Sequence, residues 1–128
     1  MLTIISDFGP DIRFKQQILS NRLHLDPGNS EILAMLAYGS TNKSIAYLLD
    51  YGAVVGFAYV EHYINRGTFG VYVHPNYRGQ GYATELAAVV REVMEDHGHT
   101  NQSLEVNERA LSIFRSVFGD EYPIAKIL

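Results

Sequence analysis

The chain has 128 residues, a formal charge of −4 at neutral pH and no cysteine. That length fits one domain able to bury about two thirds of its unfolded surface, and the lack of cysteine excludes disulfides, thiol nucleophiles and thiolate metal sites. The acidic balance excludes the clustered basic footprint of a nucleic-acid binder, and no apolar run approaches the roughly 20 residues of a membrane helix.

In chain order, residues 1–5 read as a short strand, and a first helix is expected over 11–23, with Ile12, Phe14, Ile18, Leu19 and Leu23 at helical spacing. His24 would close that helix. Asp26, Pro27, Gly28 and Asn29 turn the chain, and Asn29 or Ser30 caps a second helix that Gly39 stops after Tyr38. Three strands follow at 45–49, 54–60 and 68–73, with hairpin turns at Tyr51-Gly52 and at Asn65, Arg66 and Gly67. A third helix over 85–95 carries Leu86, Val89, Val90 and Val93 and ends at His97, Gly98 and His99. A strand at 103–106, a fourth helix over 108–117 and a last strand at 123–128 complete an α+β order in a single domain, residues 1–128. Residues 1–7 lack the basic patch and apolar length of a signal peptide, so a cytoplasmic protein is expected, with neither membrane nor nucleic acid as partner.

Between the third of those early strands and the third helix lies the stretch most informative about chemistry. Val71, Tyr72 and Val73 end a strand, His74-Pro75 turns it, and Arg78, Gly79, Gln80, Gly81, Tyr82, Ala83 and Thr84 form a glycine-rich loop that opens a helix. Such a junction offers unpaired backbone N–H groups and the positive end of a helix dipole to an anion. Gly79 and Gly81 let phosphate oxygens approach without a Cβ in the way. A dinucleotide fingerprint fails because Thr84 holds the place of its third glycine, and no Gly-Lys-Ser/Thr triplet exists for a Walker loop. A phosphate-bearing ligand is as far as these residues alone reach.

Arg78, Gly81 and Ala83 fit Arg/Gln, two residues, Gly, one residue, Gly/Ala, which resembles the acyl-CoA loop of the GNAT superfamily of N-acyltransferases. The resemblance extends upstream through Val54 to Val60 and downstream through Asn107, Glu108, Arg109 and Ala110 with Ile113, Phe114 and Gly119, about residues 43 to 119 in all. It implies a mixed central sheet of about six strands flanked by four helices, with strands four and five splayed apart. It further implies acetyl-CoA as cosubstrate, its pyrophosphate on the 78–84 loop and its pantetheine arm on backbone groups of Val71 and Val73, with Tyr72, Asn107 and Phe114 beside it. The acetyl group would pass to an amine of a small molecule or a protein.

An alkylammonium with a pKa near 10.4 is neutral only about one part in a thousand near pH 7.4, so about 4 kcal/mol separates substrate from nucleophile unless a base helps. Glu61, His62 and Glu105 are the candidates; the plainer readings are hairpin charges for the first two and an outward strand position for the third. Many family members place a tyrosine on the fourth helix to help the CoA sulfur leave. Here Phe114 takes that position, with Tyr122 close behind as a substitute or as a packed core tyrosine. Tyr38, Tyr47, Tyr59 and Tyr63 are candidates for lining an acceptor pocket. His97 and His99 fit a helix C-terminus without a metal, His74 has no visible partner, and no Glu and His pair has metal-ligand spacing on a helix, so no metal is expected. A second class stays open, a CoA-binding or partner-binding module that has lost turnover. Only one strand is legible after Gly119 where the family usually has two, so an exposed edge and a homodimer through the C-terminal strand are expected.

Overall fold

The computed structural model describes residues 2–9, 42–100 and 102–128. They form one mixed sheet of six strands in sequence order and two α-helices. The strands are β1 (Leu2–Phe8), β2 (Lys43–Asp50), β3 (Ala53–His62), β4 (Arg66–Val73), β5 (Ser103–Val106) and β6 (Ile124–Ile127). The helices are α1 (Tyr82–Asp96), between β4 and β5, and α2 (Leu111–Phe118), between β5 and β6. The helices expected over 11–23 and 30–38, with His24 and Tyr38, lie outside the described residues.

β1 to β4 pair antiparallel, β2 with β3 and β3 with β4 through hairpins, whereas β4 with β5 and β5 with β6 run parallel, as crossovers through α1 and α2 require. Leu86, Ala87, Val90, Val93 and Met94 are buried along one stripe of α1, and most of them meet Ala46, Leu48, Ala58, Val60 and Phe69 on one sheet face. Phe114 and Phe118 of α2 complete that core. Alternation sends Ile45, Tyr47, Phe57, Tyr59 and Tyr72 to the other face, where they form a second cluster.

Three expectations need correction. The strands run further than the apolar pattern suggests, because Lys43, Ser44, Glu61 and His62 are paired in the ladder and buried. Arg66, expected in a turn, already pairs with Ser103. The helix expected from Glu108 starts as a 3₁₀ turn over Glu108–Ala110, held by the Asn107 side chain on the Arg109 N–H, and becomes α-helical only at Leu111.

Candidate functional site

The ladder between β4 and β5 holds for four residue pairs, Arg66 with Ser103 through Phe69 with Val106, and then stops. β4 continues to Val73 paired with β3 but not with β5, so the sheet opens there. A cleft of about 880 Å³ fills the opening, walled by β4 from Thr68 onward on one side and by Asn107, Arg109, Ala110 and Ile113 on the other. Its upper end is the loop and first turn of α1: Arg78, Gly79, Gly81, Tyr82, Ala83 and Thr84.

Each part of that wall follows from local structure. His74 N–H donates to the Val55 carbonyl at 2.8 Å, which anchors the end of β4 to β3. Alternation along an antiparallel ladder then turns the backbone groups of Val71 and Val73 toward the opening. The Val73 carbonyl is taken by Arg78 Nε at 2.7 Å, and the guanidinium carbon of Arg78 lies 5.5 Å from the centre of the Tyr72 ring. Pro75–Tyr77 makes one 3₁₀ turn capped by His74, and Tyr77 donates its hydroxyl proton to Asp50 on β2. The start of the loop is thereby pinned to β2, β3 and β4.

α1 begins without a side-chain cap. Gly81 is its N-cap in the left-handed region at φ 83°, and the Glu85 N–H returns to the Gly81 carbonyl at 3.2 Å. The N–H groups of the first turn therefore lack helical acceptors and point along the axis into the cleft. Gly79 is left-handed as well, at φ 80°, and a Cβ on either glycine would meet no protein atom within 4 Å, so the space before them is open to a ligand. The arrangement suits an anion of several oxygens.

At the cleft's inner end the sheet carries a polar row on one face. Register places Lys43 opposite Glu61, Glu61 opposite Thr68, and Thr68 opposite Glu105. Two carboxylates thus flank Thr68, each one strand away, roughly 5 Å in the hydrogen-bonding direction. Glu61 is buried and takes a hydrogen bond from Tyr63, whose phenol is pushed up by burial first and then by the Glu61 charge. Glu105 is partly exposed and ion-paired with Arg66 at 3.2 Å.

Other candidate residues lie elsewhere. His62 points to the opposite face, buried, with its Nε2 2.6 Å from Ser44 Oγ and its Nδ1 2.7 Å from Gln102 Oε1. Gln102 Nε2 donates to the Tyr63 and Arg66 carbonyls, which leaves its oxygen to accept from Nδ1–H and the Ser44 hydroxyl to donate to Nε2. His99 stacks on His62 at 3.9 Å, and burial pushes the His62 pKa down to about 4. Tyr122 is outside the cleft, its hydroxyl donating to the Gln102 carbonyl at 2.7 Å. Phe114 is fully buried against Phe69, Phe118 and Tyr122, and Ile113 takes the cleft position instead. Gln80 is exposed beside the cleft without lining it. Arg109 and Ile113 line the cleft although the sequence marks them only as part of the motif; each stands one position before Ala110 and Phe114. Among the described residues no cluster of His, Asp or Glu suits a metal ion, and no helix is long and apolar enough to cross a membrane.

The fold has many solved counterparts. A ribosomal-protein-alanine N-acetyltransferase from Brucella melitensis superposes with a TM-score of 0.63 at 15% identity, covering 91% of this chain and 90% of that one. The aminoglycoside N-acetyltransferase AAC(6')-Iy, solved with a CoA bisubstrate analogue, gives 0.62 at 17%, covering 95% and 92%. A ribosomal-protein-alanine N-acetyltransferase from Escherichia coli gives 0.61 at 20%, covering 91% and 76%. Identities this low speak for the fold alone. None of the curated proteins compared with the sequence matches it. The family model of the acetyltransferase (GNAT) family, however, matches residues 15–119, which include both walls of the cleft and the uncapped start of α1. The chain belongs to the acetyltransferase (GNAT) family.

Proposed function

We propose that the chain moves an acetyl group from acetyl-CoA to a cationic amine. Acyl transfer as such comes with the family; the donor, the acceptor and the residues are the reading offered here. One observation carries it: the gap between β4 and β5 runs without interruption into a helix start that has two left-handed glycines and no side-chain cap. A pyrophosphate at residues 78–84 and a pantetheine arm along β4 are ligand parts of the matching length and polarity. The Val71 backbone groups and the Val73 N–H would hold the arm, while Arg78 already occupies the Val73 carbonyl.

Acetyl-CoA supplies an activated carbonyl whose thiolate can leave. This chain must orient it, admit an amine and take up a proton. Glu105 is the better base of the two that flank Thr68, because it is partly exposed whereas Glu61 is buried. Glu105 takes a proton from the ammonium, the freed amine nitrogen attacks the carbonyl carbon, the C–S bond breaks with its electron pair on sulfur, and the second proton that the nitrogen sheds passes through water to the thiolate. The flanking carboxylates support a positively charged acceptor; an amine of a small molecule and one of a protein both satisfy that chemistry. The same reading takes the chain as one acyl-CoA-binding domain. A second reading, a CoA-binding module without turnover, draws support from Phe114, which offers the sulfur no hydroxyl.

Calorimetric titration with acetyl-CoA tests the site. Gly81→Val forces a β-branched residue into left-handed backbone and fills the space before the first turn. Charge-assisted hydrogen bonds are worth about 1.5–3 kcal/mol each, so affinity is expected to fall at least about tenfold while a thermal melt still shows a folded protein. Equal affinities would remove the phosphate site. Release of free CoA with any amine separates enzyme from module.

A further inference from the structure

We propose that Tyr59 is a further catalytic residue, its hydroxyl donating a hydrogen bond to the CoA sulfur as the thioester breaks. The inference rests on the acetyl-CoA reading above.

Tyr59 stands directly opposite Gly70 in the β3–β4 ladder and lines the cleft. Its ring lies down over that glycine. A Cβ on Gly70 would come within 2.5 Å of Cε1 and 2.6 Å of both Cζ and the hydroxyl oxygen of Tyr59, so the missing side chain is what lets the phenol reach the β4 backbone. Gly70 is also the first β4 residue beyond the last pair with β5, the point where the sheet opens. The hydroxyl is therefore delivered to the inner end of the cleft, one ladder step from Thr68 and its flanking carboxylates.

Packing alone does not account for that oxygen. A phenylalanine would cover Gly70 equally well, so the hydroxyl adds to the cleft wall a polar group that packing does not require. Burial, followed by the charges of Glu61 and Tyr63, raises its pKa well above that of an ordinary phenol, so the proton stays on oxygen and the group acts as a donor. The step balances without further reagents. One ammonium proton goes to Glu105 so that the nitrogen can attack, the C–S electron pair goes to sulfur under the Tyr59 hydrogen bond, and the second proton that the nitrogen sheds passes through water to the released thiolate. Tyr59 thus gives from β3 the help that Phe114 cannot give from α2.

The chain has no cysteine, so the thiol of added CoA is the only one in the sample. Its S–H Raman band, followed against pH with CoA bound, reports the thiol pKa without any acceptor. A donor on sulfur holds that pKa down, and losing a hydrogen bond to a charged group raises it by about one to two units. Tyr59→Phe, which keeps the ring, is expected to show that rise with an unchanged melt and nearly unchanged CoA affinity, and kcat about 10- to 100-fold lower. Gly70→Ala, which displaces the ring, is expected to shift the thiol the same way. Identical thiol pKa values in wild type and Tyr59→Phe would overturn the role of Tyr59 and leave the CoA site standing. Failure of the wild type to bind CoA would overturn the site itself, and this inference with it.

Discussion

Phe114 is fully buried and lines no part of the cleft. It packs against Phe118 at 4.6 Å, stacked, and edge-on to Phe69 and Tyr122. A hydroxyl added there enters a closed aromatic cluster, so Phe114→Tyr is expected to cost about 1–3 kcal/mol of stability in urea unfolding and to leave turnover no faster. An unchanged midpoint with a faster reaction would show that the ring tip reaches the cleft after all. Motif spacing fixed the order of residues along α2 but not its rotation, which is set by where Phe69 and the other rings of the cluster sit. Tyr122 was out of reach for the same reason, since its bond to the Gln102 carbonyl joins residues 20 apart. The 78–84 loop, by contrast, is legible in shape, because two left-handed glycines and backbone groups that need no distant partner set its turn into α1.

At the scale of elements, the apolar pattern located every described strand and helix but stopped short at the ends of β2 and β3. His62 reads as a hairpin charge in sequence and Ser44 falls just outside the expected strand; their side chains bond each other, and Gln102, 40 positions beyond His62, takes the other ring nitrogen. Gln102 also holds the β3–β4 turn through the Tyr63 and Arg66 carbonyls, so one side chain joins β2, β3 and β4 to the start of β5. That network titrates. Unfolded, His62 takes up a proton near pH 6.5; folded, burial holds it neutral until about 4. Between those values the unfolded chain binds more protons, so the contribution is intact above about pH 6.5 and is lost as pH falls toward 4, at most about 3 kcal/mol. Urea unfolding at pH 7.5 and pH 5 measures it, and His62→Gln is expected to flatten the difference. Equal slopes in both proteins would show that other groups set the acid limit.

For the molecule as a whole, β6 pairs with β5 on one side and is otherwise an edge among the described strands, with Ile127 and Leu128 about half exposed. An apolar edge of this kind invites a second copy. Light scattering is expected to show a dimer that Ile127→Lys disperses, because a charge on an edge strand opposes pairing; a monomeric wild type would dispose of the idea. The opening between β4 and β5 is an edge of another sort, lying inside the sheet. Its carbonyls and N–H groups form an incomplete ladder that any extended peptide could zip into. Arg78 withdraws the Val73 carbonyl from that ladder at 2.7 Å, and the first turn of α1 stands across its end. Arg78 is therefore also a guard against misassembly: without it, the cleft would present a longer template for strand addition, and the same opening would admit a neighbouring chain.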